Sequence, residues 1–303
     1  MMKRTLVVVT GPTAVGKTEL CMDIARQYGI PIINADSRQI YRGLRIGTAA
    51  PTTEQQTEVK HYFVGSLDLS EYYNASMFEQ DVTCLLPQLF AESRHGMALM
   101  SGGSMMYIDS VCNGIDDIPT INDETRQMLK ERLESDGFER LCEELRLMDP
   151  EYYAIVDKKN PRRVIHGLEI CYQTGLTYTH FRKREKKARP FDNIMKIALN
   201  RPREELYERI NNRVDRMIEE GLVEEALALY PQKELNSLNT VGYKEIFEYI
   251  EGKYMLDEAI ERIKSDTRRY ARKQLTWFKR DKDIAWFCPD DRTEIMDYIS
   301  QNL

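Results

Sequence analysis

The sequence predicts an α/β protein in which a parallel sheet is built around a phosphate loop and interrupted by a helical insertion. Three observations predict it. Short β-branched apolar runs alternate with helix-period segments through the N-terminal third. A glycine-rich motif joins the first such run to the first helix. Near Ile118-Pro119 the alternation gives way to helical pattern alone, and a strand signal returns only after about Pro190.

The elements follow in order. Thr5 to Thr10 is continuous and β-branched, as in a strand covered on both faces. A glycine loop follows, and Leu20, Cys21, Ile24, Ala25 and Tyr28 recur at helical spacing. Ile30 to Asn34 and Tyr62 to Val64 read as further short strands. Ser76 with Glu79 is a capping-box pattern for a helix running to about Arg94, and Pro87 is expected to kink it. Ala98 to Ser101 reads as a strand ended by Gly102-Gly103. Helices are expected at Glu124 to Leu133, at Phe138 to Met148 and from Asn160-Pro161 onward. Ile194 to Leu199 resumes the sheet. Helices then cover Arg203 to Glu220, Val223 to Tyr230, Lys244 to Glu251 and Leu256 to Arg280, and Trp286 to Cys288 closes as a strand. The expected domains are therefore 1–117 with 191–303 as the core, and 118–190 as the insertion.

Composition sets limits. The 303 residues, 42% of them apolar, can supply one large core or two modest ones. The 43 Lys and Arg against 49 Asp and Glu give a net charge of −6, which excludes a uniformly basic nucleic-acid coat protein but leaves local basic patches open. No apolar run approaches the ~20 residues of a membrane span. The run Leu6 to Val9 is cut off by Gly11-Pro12 and is too short for a signal peptide. Cys21, Cys84, Cys112, Cys142, Cys171 and Cys288 are scattered, with no CxxC pair and no Cys/His cluster. Neither a disulfide framework nor a zinc site is expected, and the cytoplasm is the natural setting.

Gly11-Pro12-Thr13-Ala14-Val15-Gly16-Lys17-Thr18 fits G-x-x-x-x-G-K-[ST] between a strand and a helix. Glycines let the backbone wrap a phosphate chain with its N–H groups pointing inward. The helix starting near Lys17 adds its positive end, Lys17 adds a full charge, and the Thr18 hydroxyl can hold Mg²⁺. The motif specifies a di- or triphosphate and leaves the reaction open. No second strand of four apolar residues ends in an aspartate, as an ATPase or GTPase usually shows; Pro31 and Asn34 make Ile30 to Asp36 a poor candidate. An aspartate at the end of a neighbouring strand lies beside the phosphate loop. Asp36 is thus either a general base acting on a second substrate or a turn cap.

The segment Asp36-Ser37-Arg38-Gln39-Ile40-Tyr41-Arg42-Gly43-Leu44-Arg45-Ile46-Gly47-Thr48-Ala49, with GPTAVGKT before it, resembles the tRNA dimethylallyltransferase (tRNA isopentenyltransferase) family. Further matches are Gly102 to Tyr107, Asn160 to Glu169, Thr240 to Glu245 and Arg269 to Phe278. The resemblance implies a nucleotide-kinase-like core with an insertion that grips the tRNA anticodon arm. It implies transfer of the dimethylallyl group of dimethylallyl diphosphate to the exocyclic amine of the adenine just 3′ of the anticodon, in tRNAs reading codons that begin with U. The phosphate loop, Gly11 to Thr18, then holds the donor diphosphate with Mg²⁺. Asp36 takes the base role, with Lys17 and Ser104 as its catalytic companions. Ser37, Arg38 and Gln39 hold the target base. Arg126, Arg162, Arg163, Val164, Ile165, His166, Thr240, Val241, Gly242, Tyr243 and Lys244 correspond to tRNA-contacting positions. A monomer is expected. The runner-up activities are prenyl transfer to free adenosine nucleotides and small-molecule phosphorylation.

Two basic runs fit an RNA phosphate track or a solvated helix face. The first holds Arg182, Lys183, Arg184, Lys186, Lys187 and Arg189 against Glu185, and the second runs from Arg262 to Lys282. Trp277 and Phe278 read as core anchors rather than stacking platforms. The chain departs from the family pattern at Ala50, where a lysine is usual, at Ser104-Met105 in place of Thr-Gly, and at His166 in place of arginine.

Overall fold

β1 (Thr5–Thr10) is buried along its whole length and occupies the middle of a six-stranded sheet. The computed structural model describes residues 3–183 and 188–303. β2 (Ile32–Asn34), β3 (His61–Tyr62), β4 (Met97–Ser101), β5 (Asn193–Leu199) and β6 (Ile284–Phe287) complete the sheet in the order β3-β2-β4-β1-β5-β6. Every pairing is parallel, with Val7 registered against Leu99 on one side and Met195 on the other. The chain between strands forms α1 (Lys17–Tyr28), α2 (Thr53–Glu58), α3 (Ala75–Glu92) and α4 (Met105–Asn113). Then come α5 (Asp123–Asp136), α6 (Phe138–Met148), α7 (Pro150–Ile155), α8 (Pro161–Thr174) and α9 (Tyr178–Phe181). After β5 follow α10 (Arg203–Glu219), α11 (Leu222–Leu229), α12 (Tyr243–Ile250), α13 (Leu256–Phe278) and, after β6, α14 (Arg292–Asn302).

The period-2 alternation of the strands divides the core. Val7 and Val9 of β1 and Leu99 of β4 pack with Leu20 and Ile24 of α1, Ile210 of α10 and Ile295 of α14. Leu6, Val8 and Met100 point the other way, onto Phe78, Val82 and Leu86 of α3 and Ile108 of α4. Both faces are covered, which is why β1 carries no polar side of its own. A third cluster joins Ile40, Leu44 and Tyr243 to Val214, Leu222 and Ile263, and so braces the segment that follows β2.

The chain separates into two units: Met1–Asn113 with Ala188–Leu303, and Gly114–Lys187. The second holds α5 to α9 around Leu129, Leu141, Leu145, Val164 and Leu168. Buried Asp149 ties its short helices together. Its Oδ1 accepts from Tyr152 N at 3.0 Å and from Thr179 Oγ1 at 2.6 Å, and its Oδ2 accepts from Thr179 N at 2.8 Å. All six cysteines are free.

Two expectations are corrected. The cap of α3 is Asn74, whose Oδ1 accepts from Ser76 N and Met77 N at 2.9 Å each. Glu79 is instead drawn into the core by Arg189, whose guanidinium also donates to Ser110 O at 3.3 Å. Arg189 is thereby removed from the first basic run, because an internal carboxylate neutralises it. Residues 184–187 of that run lie outside the described residues.

The expected result of Gly11→Ala follows from the sheet. Gly11 has φ +139°, and a Cβ there would lie 2.6 Å from Leu199 O at the end of β5. The substitution is expected to cost about 1–3 kcal/mol, read as a lowered Tm with loss of donor binding.

Candidate active site

The loop from Gly11 to Gly16 leaves β1 at the point where the strand order reverses, the usual ligand crevice of an open α/β sheet. Gly16, at φ +115°, starts α1 without any side-chain cap. The first N–H groups of α1 are therefore available to an anion, at the helix end that favours one. Ala14 is held at φ +63°, a left-handed conformation unusual for a residue with a Cβ. The Lys17 ammonium reaches back over the loop, donating to Gly11 O at 3.0 Å and Pro12 O at 2.8 Å. Desolvation, reinforced by the nearby Arg213 guanidinium and opposed by Asp36 and Cys21, pushes Lys17 down to about 8.

Arginines that the motif search missed surround this loop. Arg201 Nε donates to Val15 O at 3.1 Å, Arg209 Nε to Ala14 O at 3.0 Å, and an Arg213 N–H to Thr13 Oγ1 at 3.4 Å. Arg201 is neutralised by Glu205 and Asp290. Arg209 and Arg213 make no ion pair among the described residues, and burial pushes Arg213 below its usual value. Their sequence signal was the spacing Arg209, Arg213, Arg216, which places three cations on neighbouring turns of one helix.

Gln274 is the second residue that sequence reasoning passed over. It is 1% exposed. Its Oε1 accepts from Thr13 N at 2.9 Å, and its Nε2 donates to Gly103 O at 2.9 Å. One amide thus joins the phosphate loop to the glycine pair after β4. It also occupies the Thr13 N–H, so the loop amides left for a phosphate begin at Ala14.

Gly102 brings β4 against the end of β2. A Cβ at Gly102 would lie 2.1 Å from Ala35 O, so no other residue lets the two chains approach as closely. This contact sets Ser104 beside the Asp36 turn. Ser104 is buried; its Oγ accepts from Ser37 N at 2.8 Å and pairs with Ser37 Oγ at 3.1 Å. Asp36 takes the turn-cap position that its place in the sequence offered. Its Oδ1 caps a turn, accepting from Arg38 N at 2.9 Å and Gln39 N at 3.2 Å. The same carboxylate lines two cavities.

The larger cavity, about 870 Å³, is walled by Thr13 to Glu19, Asp36, Gln39, Gly102, Arg209, Arg213 and Gln274. The smaller, about 290 Å³, is walled by Ser37, Arg38, Ser104, Val214, Thr240, Val241, Gly242 and Ile263. Thr13, Asp36, Thr48, Arg213, Met217 and Tyr270 line both. Arg38 reaches across to Asn236 O at 2.8 Å, and Gln39 donates to Thr48 O at 2.9 Å. Ala50 lines the larger cavity, whereas Met105 starts α4 outside both.

The remaining predicted positions separate. Tyr243 is fully buried and donates to Glu225 Oε1 at 2.6 Å; that carboxylate also accepts from Ile46 N and Gly47 N, each at 2.9 Å. Tyr243 is a buried strut under the Ile46-Gly47 turn, and Lys244 beside it is exposed. In the second unit, Arg162 and Arg163 are exposed on the first turn of α8, Ile165 is half-buried, and Val164 belongs to the core. His166 Nδ1 lies 3.1 Å from Glu169 Oε2. Arg126 stands on α5, 3.9 Å from Asp123. The second basic run is partly spent on local pairs, Arg262 with Glu258 and Arg269 with Asp266, while Arg272, Lys273 and Lys279 are exposed. Phe278 is a core residue, and Trp277 Nε1 donates to Asp109 at 2.9 Å.

Among the described residues, no group of three or more His, Cys, Asp or Glu side chains is placed to hold a metal. Magnesium needs none, since it keeps waters and takes one or two protein oxygens together with substrate phosphates. Thr18, exposed at the start of α1 and lining the larger cavity, fits that donor set.

Fold and site together define a P-loop α/β protein with a phosphate-loop cavity beside a second, smaller one. A family model described as IPP transferase matches residues 39–281. The chain is 59% identical over 298 residues, 98% of each chain, to tRNA dimethylallyltransferase 1 of Phocaeicola vulgatus. It is 57% identical over the full length of both chains to the protein of the same name from Bacteroides fragilis. Among solved structures, a full-length tRNA isopentenylpyrophosphate transferase from Bacillus halodurans matches with TM-score 0.71 at 34% identity, covering 99% of this chain and 96% of that one. A eukaryotic dimethylallyltransferase acting on tRNA matches with TM-score 0.78 at 26% identity, covering 94% and 73%. This chain belongs to the IPP transferase family.

Two results are expected of this site. Gln274→Ala leaves the Thr13 N–H without its partner and the Gly103 carbonyl with only the Tyr270 hydroxyl at 3.3 Å, at a cost of about 1–3 kcal/mol; thermal unfolding measures it, and KM for the donor should rise with it. Lys17 is charged below about 8 and neutral above, so kcat/KM for the donor should fall as pH rises through that value. Lys17→Ala should lack that limb of the pH profile.

Proposed function

We propose that this chain is a tRNA dimethylallyltransferase. It transfers the dimethylallyl group from dimethylallyl diphosphate to the exocyclic amine of the adenine 3′-adjacent to the anticodon, in tRNAs reading codons that begin with U. The observation that carries this reading is the place of Asp36, which lines both the phosphate-loop cavity and the smaller cavity bordered by Ser37, Ser104 and Gly242. A general base must touch both substrates' reacting region, and Asp36 is the acidic residue common to the two cavities.

The donor diphosphate binds on the amides of Ala14 to Thr18 with Lys17, and Arg209 and Arg213 close over it. Thr18 would hold Mg²⁺ together with the diphosphate, and the ion would supply further neutralisation of the leaving charge. The allylic C–O bond breaks as a bond forms from the adenine nitrogen to the same carbon. Lys17, Arg213 and the loop amides stabilise the negative charge that builds on the departing diphosphate. The adenine amine is a weak nucleophile because its lone pair is delocalised into the ring. Asp36 takes its proton as the carbon–nitrogen bond forms. Ser104 and the backbone of Ser37 hold the Asp36 turn in register with the base.

The target adenine must leave its stack to reach this pocket. Ser37, Arg38, Gln39 and Thr240 to Gly242 are suited to polar contacts with a splayed base. The unit containing Arg126, Arg162, Arg163 and His166 serves the anticodon arm, with exposed Lys244 as a further phosphate contact. Val164, Ile165 and Tyr243 support these contacts from within. The protein works as a cytoplasmic monomer.

The test uses labelled dimethylallyl diphosphate, Mg²⁺ and undermodified tRNA, with AMP as a competing acceptor and ATP turnover monitored. Label in tRNA alone is expected. Label in AMP would assign a free-nucleotide prenyltransferase, and ATP turnover without prenyl transfer would assign a kinase. Asp36→Ala should lower the single-turnover rate on the order of 10²–10⁴-fold, far more than it lowers tRNA affinity.

A further inference from the structure

The two cavities differ in lining chemistry, and the passage between them is narrow in its choice of residues. Of the six residues they share, Thr13, Asp36, Thr48 and Arg213 present polar or charged groups. Met217 and Tyr270 supply the apolar surface. Met217 is half-buried and packs on the cluster that contains Val214 and Ile263. Tyr270 is tethered by a hydrogen bond from its hydroxyl to Gly103 O at 3.3 Å.

Helix geometry orders the α10 residues along the same path. Arg209 bonds the loop at Ala14 and Arg213 bonds it at Thr13. Met217 follows on the same face, one turn beyond Arg213 or about 6 Å along the axis. A ligand with its anionic end under Arg209 and Arg213 therefore lays its next few carbons on Met217. We infer that Met217, with Tyr270 as the other apolar residue lining both cavities, is the wall that sets the length of prenyl chain this enzyme accepts, five carbons rather than ten. The inference rests on the function proposed above and adds a specificity determinant to it. A longer chain would have to pass Met217 into the smaller cavity, where the acceptor base binds. The thioether blocks that route, and its flexible side chain closes around the two terminal methyl groups.

The experiment compares dimethylallyl and geranyl diphosphate in the full chain and in Met217→Ala. Each donor is measured twice, by kcat/KM for transfer to undermodified tRNA and by Kd of the diphosphate in the presence of Mg²⁺. Removing the side chain should narrow the discrimination against the ten-carbon donor by about ten-fold or more in both measurements. Met217→Leu, which nearly conserves volume, should keep the preference for five carbons and shows that the effect is one of size. An unchanged ratio of the two donors in Met217→Ala, or an equal loss of both, would overturn the inference. The Kd ratio decides this whether or not label reaches tRNA, so failure of the transfer reading and failure of the Met217 assignment are separate results.

Discussion

Positive charge gathered at the end of β1, with no ion pair to Lys17, Arg209 or Arg213 among the described residues, is the constraint on which the rest of the site depends. Lys17, Arg209 and Arg213 converge on one short loop, and each is satisfied in part by that loop's own oxygens. Burial holds Lys17 and Arg213 below their ordinary pKa values, neighbouring cations add to the effect, and Asp36 opposes it. Under the proposed function, a diphosphate bound here would relieve both the burial penalty and the repulsion. As its charge grows during departure, the relief grows with it, so the interaction is stronger in the transition state than in the ground state.

The acceptor side is built by close backbone approach rather than by charge. Gly102 lets β4 touch the end of β2, and Gly103 leaves room for Gln274 to reach the phosphate loop. Glu225 then gathers the amides of Arg45, Ile46 and Gly47 with the Tyr243 hydroxyl, fixing the turn that leads to Thr48. Buried polar groups with every partner present rigidify such a pocket, and each partner lost leaves a costly orphan.

Much of this was legible in the sequence, and the reason is local. The β-branched run of β1, the start of α1 at Lys17 and the α6 span Phe138–Met148 are set by neighbours in the chain. The phosphate loop was legible for the same reason. The third strand was read slightly late, at Tyr62 to Val64 against His61–Tyr62, because two paired residues leave almost no periodicity. α2 was missed although Thr52 and Gln55 form a capping box that the sequence displays. The residues that escaped notice in the site act across long separations. Gln274 sits 261 positions from the loop it bonds, and Arg213 sits 200 from Thr13. No spacing rule brings those residues together; only the parallel sheet does. Tyr243 and Val164 were marked by motif, and the fold buries both side chains, since a motif marks a position without saying which way its side chain points.

The most direct test of the central claim is a structure of the chain with an unreactive thio analogue of dimethylallyl diphosphate and an anticodon stem-loop. The account predicts diphosphate oxygens on the amides of Ala14 to Thr18, and the adenine amine in the smaller cavity within hydrogen-bond reach of Asp36. An adenine bound elsewhere, or a diphosphate that leaves Lys17 on the carbonyls of Gly11 and Pro12, would contradict it.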